Sequence, residues 1–83
     1  MDDSHVAGDV KVLIEAITSQ GEAIAEGHYS HKISFGALFN ATVDTLEALM
    51  GTLRAAKKQK IIHFAQPMLL HPGDDKEIVY LFR

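Results

Sequence analysis

Residues 44–62 read DTLEALMGTLRAAKKQKII. In this stretch Leu46, Leu49, Met50 and Leu53 fall at i, i+3, i+4 and i+7, a single stripe along an α-helix. Asp44 is placed to cap the first turn, and Glu47, three residues on, makes a near match to a capping box. The far end carries Arg54, Lys57, Lys58 and Lys60, cations that complement the negative end of the helix dipole. Helical projection puts Glu47, Gly51, Arg54 and Lys58 opposite the leucine stripe. Lys57 lies at the edge of that stripe, where its stem can pack while its head reaches water. Gly51 is the odd residue, because a glycine inside a helix costs about 1 kcal/mol relative to alanine. Either another segment of the chain crosses closely there, or Gly51 is a flat spot, flanked by Arg54 and Lys58, for a partner's backbone.

Working outward toward the N-terminus, Val6, Val10, Leu13, Ile14 and Ile17 keep helical spacing and predict a first helix over 5–20. Ser4 is a candidate cap, Gly8 weakens the start, and Gly21 suits the position just past the end. Residues 21–30, GEAIAEGHYS, hold two glycines and no sustained period. They read as a loop with a short helical turn around Glu22–Glu26. His31-Lys32-Ile33 makes a short strand. Ser34 caps a second helix whose apolar face is Phe35, Leu38 and Phe39, and Asn40 to Val43 breaks it.

Beyond Lys60 the helical pattern ends. Pro67 restricts any strand there to a start or an edge. Pro72-Gly73-Asp74-Asp75 is a strong turn signal. Glu77 to Phe82 is the clearest strand, with Ile78, Tyr80 and Phe82 on one face and Val79 and Leu81 on the other. The prediction is a hairpin of 67–71 and 77–82 with an acidic tip. The order is then helix, strand, helix, helix, strand, strand. This is an α+β class, winged-helix-like: three helices with a small antiparallel sheet closing one side of the core. It is a single domain over 1–83 with an ordered core of about 5–82.

The totals restrict function. The chain has 83 residues, 47% of them apolar, and no cysteine. That removes disulfides, thiolate metal sites and thiol catalysis, and fits a reducing cytoplasmic setting. No apolar run is long enough to span a bilayer, and the acidic N-terminus lacks the apolar core of a signal peptide. A monomer without membrane contact is expected. Net charge is −3, where a general nucleic-acid binder would be basic. The charge is uneven: residues 54–60 carry four cations and no acid.

Catalytic chemistry finds little to work with. None of the five histidines, at 5, 28, 31, 63 and 71, has a carboxylate or second histidine at i+3 or i+4 within the firm part of a helix, since the stable part of the first helix begins nearer Asp9. Asp74, Asp75 and Glu77 supply too few oxygens for a calcium loop and read as a solvated turn. The serines lack a base, and no glycine-rich phosphate loop is present. No catalytic residue, metal or cofactor is assigned, and the chain reads as a non-enzyme. Binding falls instead to Arg54, Lys57, Lys58 and Lys60, with Gly51. Their plain reading is a solvated helix end; their functional reading is a docking patch for an acidic surface. A winged-helix nucleic-acid-binding module is the alternative. Against it, the third helix offers no Asn, Gln, Ser or Thr on its polar face, and Glu47 and Asp74-Asp75 would repel phosphate. Strand addition along the hairpin edge ranks last, since Pro67 and Pro72 guard that edge.

FGALF (35–39), LEALMGTLRAAKKQKII (46–62), MLL (68–70) and DDKEIVYL (74–81) together resemble the Costars family, over about Val6 to Leu81. That family includes small stand-alone cytosolic proteins and the C-terminal domain of an actin-binding Rho-activating protein of muscle. The resemblance implies a winged-helix-like fold and a role in the actin cytoskeleton and cell motility, by contact with actin or an actin-associated protein. It also implies a cytoplasmic, cytoskeleton-associated location. By position, the family's basic stretch corresponds to Arg54, Lys57, Lys58 and Lys60. Residues 22–31 and 63–67 depart from the family's pattern.

Overall fold

The apolar spacing of the N-terminal segment produces the expected helix, α1 (Ser4–Gln20), with Val10, Leu13 and Ile17 buried on one side. The computed structural model describes residues 4–44, 49–66, 69 and 73–83, leaving aside the side chains of 4–7 and 26. Gly21 follows α1 as expected, but for a different reason than a left-handed turn. Its N–H donates to the Ile17 carbonyl at 2.8 Å, and a methyl group on it would stand 2.6 Å from the Lys32 carbonyl oxygen. Glycine is there because two backbones meet.

The predicted loop at 21–30 is instead a hairpin. Strand β1 (Glu22–Glu26) pairs antiparallel with β2 (Tyr29–Ser34). The two-residue turn between them begins at Gly27, whose φ of +56° is open to glycine at little cost. No helical turn forms at Glu22–Glu26. Its outer position is held in part by pairing to β2, including a 3.5 Å contact of Glu22 with Lys32. β2 then runs longer at both ends than the expected His31–Ile33.

The sheet is four-stranded, in the order β1-β2-β4-β3. Strand β4 (Ile78–Phe82) lies between β2 and the short β3 (Ile62–His63), antiparallel to both. So the neighbour of β4 is Ile62–His63 and not the predicted arm at 67–71. Most of that arm lies outside the described residues; Leu69 is described, is buried and belongs to no strand. The α+β class stands, with three helices and a small antiparallel sheet, and one strand more than expected.

Ile33, Val79, Leu81 and Ile62 face the helices and are buried. On the outer face a bulge changes the phase. Lys32 sits opposite Tyr80 and His31 opposite Leu81, but Tyr29 is opposite Phe82, so Ser30 is one residue extra. The bulge turns Tyr29 to the side of Tyr80 and Phe82. Tyr29 stacks on Tyr80 at 4.7 Å between ring centroids and meets Phe82 in a tilted contact at 5.0 Å, and His63 stacks against it at 6.1 Å. Aromatic cross-strand contacts of this kind stabilise a sheet by a fraction of a kcal/mol up to about 1 kcal/mol each.

Helix α2 (Phe35–Thr42) is capped as the sequence predicts: the Ser34 hydroxyl accepts from the Ala37 N–H at 3.3 Å. Phe35 and Leu38 are fully buried. The helix does not break at Asn40 but runs through Thr42, whose buried hydroxyl donates to the Leu38 carbonyl at 2.8 Å. A β-branched residue that satisfies its hydroxyl inside the helix does not stop it. The acidic turn at 73–76 is no projecting tip. The Gly36 N–H donates to the Asp75 carbonyl at 3.0 Å and the Phe35 N–H to the Glu77 carbonyl at 2.8 Å. This seats the acids at the positive end of α2, where negative charge is favourable.

Helix α3 (Leu49–Lys58) buries Leu49, Thr52, Leu53 and Ala56 against α1 and the sheet, with Met50 packed at the margin. Leu46 and Glu47, and with Glu47 the expected capping box, lie outside the described residues. The helix ends in a Schellman motif: the Ile61 N–H bonds the Ala56 carbonyl at 2.9 Å and the Lys60 N–H bonds the Lys57 carbonyl at 3.1 Å. Lys60 therefore sits in the left-handed region, at φ +60°. A lysine there is strained where glycine would not be. Lys60→Gly is expected to raise stability by about 0.5–1 kcal/mol, read as an increase in urea midpoint, and Lys60→Val to lower it.

Candidate docking surface on the third helix

Helical periodicity brings Gly51, Arg54, Ala55 and Lys58 to the side of α3 that faces away from Leu49 and Leu53. With Lys57 they line a shallow groove of about 510 Å³. Gly51 is exposed on this side of the helix. Arg54 and Lys58 are exposed and stand one helical turn apart. Among the described residues neither carries an ion pair; the one such pair there is Glu22–Lys32 on the sheet. No carboxylate appears among the described lining residues.

Lys57 behaves differently from its neighbours. Its ammonium lies 4.3 Å from the centroid of the Phe64 ring and donates to the Gln66 carbonyl at 2.9 Å. Phe64 is 1% exposed, so the ring is a fixed platform. A cation over an aromatic face gains roughly 0.5–2 kcal/mol, rising as water is excluded. The partner groups are neutral, so the positive charge remains. Lys57 is thus a held cation beside an exposed pair.

The structure brings four of the five predicted site residues, Gly51, Arg54, Lys57 and Lys58, to one groove. Lys60 is not among the lining residues; its backbone closes the helix end. Ala55 was not singled out from the sequence, although its spacing from Gly51 marks the same face. The support from Phe64 and Gln66 had no local signal, because it arises where the chain returns after the helix. Elsewhere, His31 Nδ1 and the Ser30 hydroxyl are 2.9 Å apart, and His63 belongs to the aromatic stack. Among the described residues no three His, Asp or Glu converge on a metal-sized site.

A family model described as Costars matches residues 5–82. The Costars family protein ST45-2 of Eutrema halophilum is 42% identical over 74 residues, covering 87% of this chain and 78% of that protein. The Costars family protein ABRACL of Bos taurus is 40% identical over 80 residues, covering 93% of this chain and 96% of its own length. Among solved structures, the solution structure of human HSPC280 protein matches with a TM-score of 0.80 at 34% identity, over 94% of this chain and 92% of that one.

Proposed function

This chain belongs to the Costars family, and from that membership together with the cationic groove we propose that it is a non-enzymatic regulator of the actin cytoskeleton and cell motility. It acts by binding actin or an actin-associated protein, as a monomer in the cytoplasm. The contact is made by the basic end of α3. The observation that carries this reading is the groove in which Arg54, Lys57 and Lys58 line one wall with no described carboxylate among them. An exposed cluster of one sign raises the encounter rate with an oppositely charged surface more than it adds to final affinity. That suits a regulator that exchanges on a filament. Its net charge of −3 sets the chain against nucleic acid, whose binding is driven by neutralised phosphates.

Co-sedimentation with filamentous actin tests the proposal. The wild type is expected to pellet at low salt and less so at about 0.15 M ionic strength, where exposed charges are screened beyond roughly 8 Å. Arg54→Glu with Lys58→Glu is expected to abolish pelleting while leaving the far-UV circular dichroism unchanged. Unchanged pelleting of the double variant would remove this groove from the mechanism.

A further inference from the structure

We propose that the occupant of the α3 groove is an acidic peptide segment of the partner, and that its first carboxylate is read by Lys57. The inference rests on the reading above that this groove is where the protein docks, and adds the chemistry of what enters it. Three cations line the groove, and no described residue lining it is acidic. Anionic occupants divide into compact phosphates and spaced carboxylates. Phosphate sites gather at helix N-termini, where backbone N–H groups converge. This groove lies toward the opposite end of α3, where the dipole is negative and the last carbonyls are already bonded by Gln59, Lys60 and Ile61. No N–H cradle is available there. Carboxylates spaced along a peptide suit it better, because long side chains meet them away from the helix axis.

The same geometry ranks the cations. Arg54 and Lys58 are exposed and must give up side-chain freedom to pair with a carboxylate. Lys57 has already done so, between the Phe64 ring at 4.3 Å and the Gln66 carbonyl at 2.9 Å. An ammonium has three donors, and Gln66 uses one. The remainder can meet a carboxylate without a new ordering cost, which is the usual source of affinity in a preorganised site. Gly51, which adds no side chain, lines the groove ahead of the two exposed cations.

The test is a titration of ¹⁵N-labelled protein with a hexaglutamate peptide at low salt. Hexaglutamine and vesicles bearing a phosphorylated inositol lipid form parallel arms. Hexaglutamate is expected to shift the amides of Gly51, Arg54, Ala55 and Lys58 and leave the turn at Gly27 unmoved; hexaglutamine shifts none. Lys57→Gln is expected to weaken hexaglutamate binding about fivefold and Lys58→Gln about twofold. Lys57→Met, which keeps its stem on Phe64, repeats the loss if Lys57→Gln melts early. Equal losses at Lys57 and Lys58 would overturn the ranking. Vesicle binding at these amides without a hexaglutamate response would overturn the choice of occupant. Hexaglutamate mapping to the groove in a protein that never pellets with actin would instead sink the actin reading and leave this one standing.

Discussion

Leu53→Ala is expected to remove a large part of the domain's folding stability and to lower its Tm steeply. Leu53 is 1% exposed and belongs to the cluster that joins α1, α3 and the sheet. Removing its branched end loses apolar burial and leaves a cavity that helix backbones cannot close. Such truncations cost about 2–5 kcal/mol. A domain of this size buries a smaller share of its surface than a large one and holds roughly 5 kcal/mol in total. A loss of about 3 kcal/mol corresponds to a fall in Tm of roughly 12–24 °C for a domain this short. Leu53→Met, which nearly conserves volume, is expected to cost under about 1.5 kcal/mol. A Tm unmoved by Leu53→Ala would mean that α3 is rotated about its axis relative to the face described, and the groove with it.

Gly21→Ala is expected to be nearly as damaging, although it adds a single carbon. That carbon would sit 2.6 Å from the Lys32 carbonyl oxygen and would also run into the carbonyl of Ile17. Both obstacles are backbone, one at the end of α1 and one in β2, so relief requires the helix and the hairpin to part. The expected cost is about 3 kcal/mol, at the upper end for inserted volume. Gly8→Ala is the internal control, since an added carbon there meets nothing within 4 Å and lies within α1. It is expected to stabilise by about 0.5–1 kcal/mol. Paired thermal melts of the two variants should move in opposite directions. Similar shifts in both would show that helix propensity, not backbone contact, governs Gly21.

What could be read from the sequence follows from how local each signal is. The stripe through Leu49, Met50 and Leu53, the Ser34 cap and the alternation of Ile78 to Phe82 lie within a few residues, and all three appear in the structure. The β1–β2 hairpin was missed because Glu22-Ala23-Ile24-Ala25-Glu26 is built mostly from residues that strands avoid. Its strand character comes from pairing with β2, which pairs in turn with a β4 some fifty positions on. Of the Pro72–Asp75 turn signal, Gly73 to Asp75 do form a turn, but it seats against the N-terminus of α2, a contact that no local pattern specifies, and Pro72 lies outside the described residues. The docking residues divide in the same way. The face holding Gly51, Arg54 and Lys58 follows from helical period alone. That Lys57 is fixed and Lys60 is spent on ending the helix depends on Phe64, Gln66 and Ile61, which only the folded chain brings back.

Ser30 has a consequence beyond its own chemistry. It is the one residue by which β2 exceeds β4 here, so Tyr29 reaches Phe82 two positions from His31 where a plain ladder would need one. Any residue could fill that role, and taking it out would leave a plain alternation in which Tyr29 still falls opposite Phe82. Length at this point is therefore free to vary by one, and a substitution of Ser30 or its deletion should each leave the phenol on the outer face of the sheet.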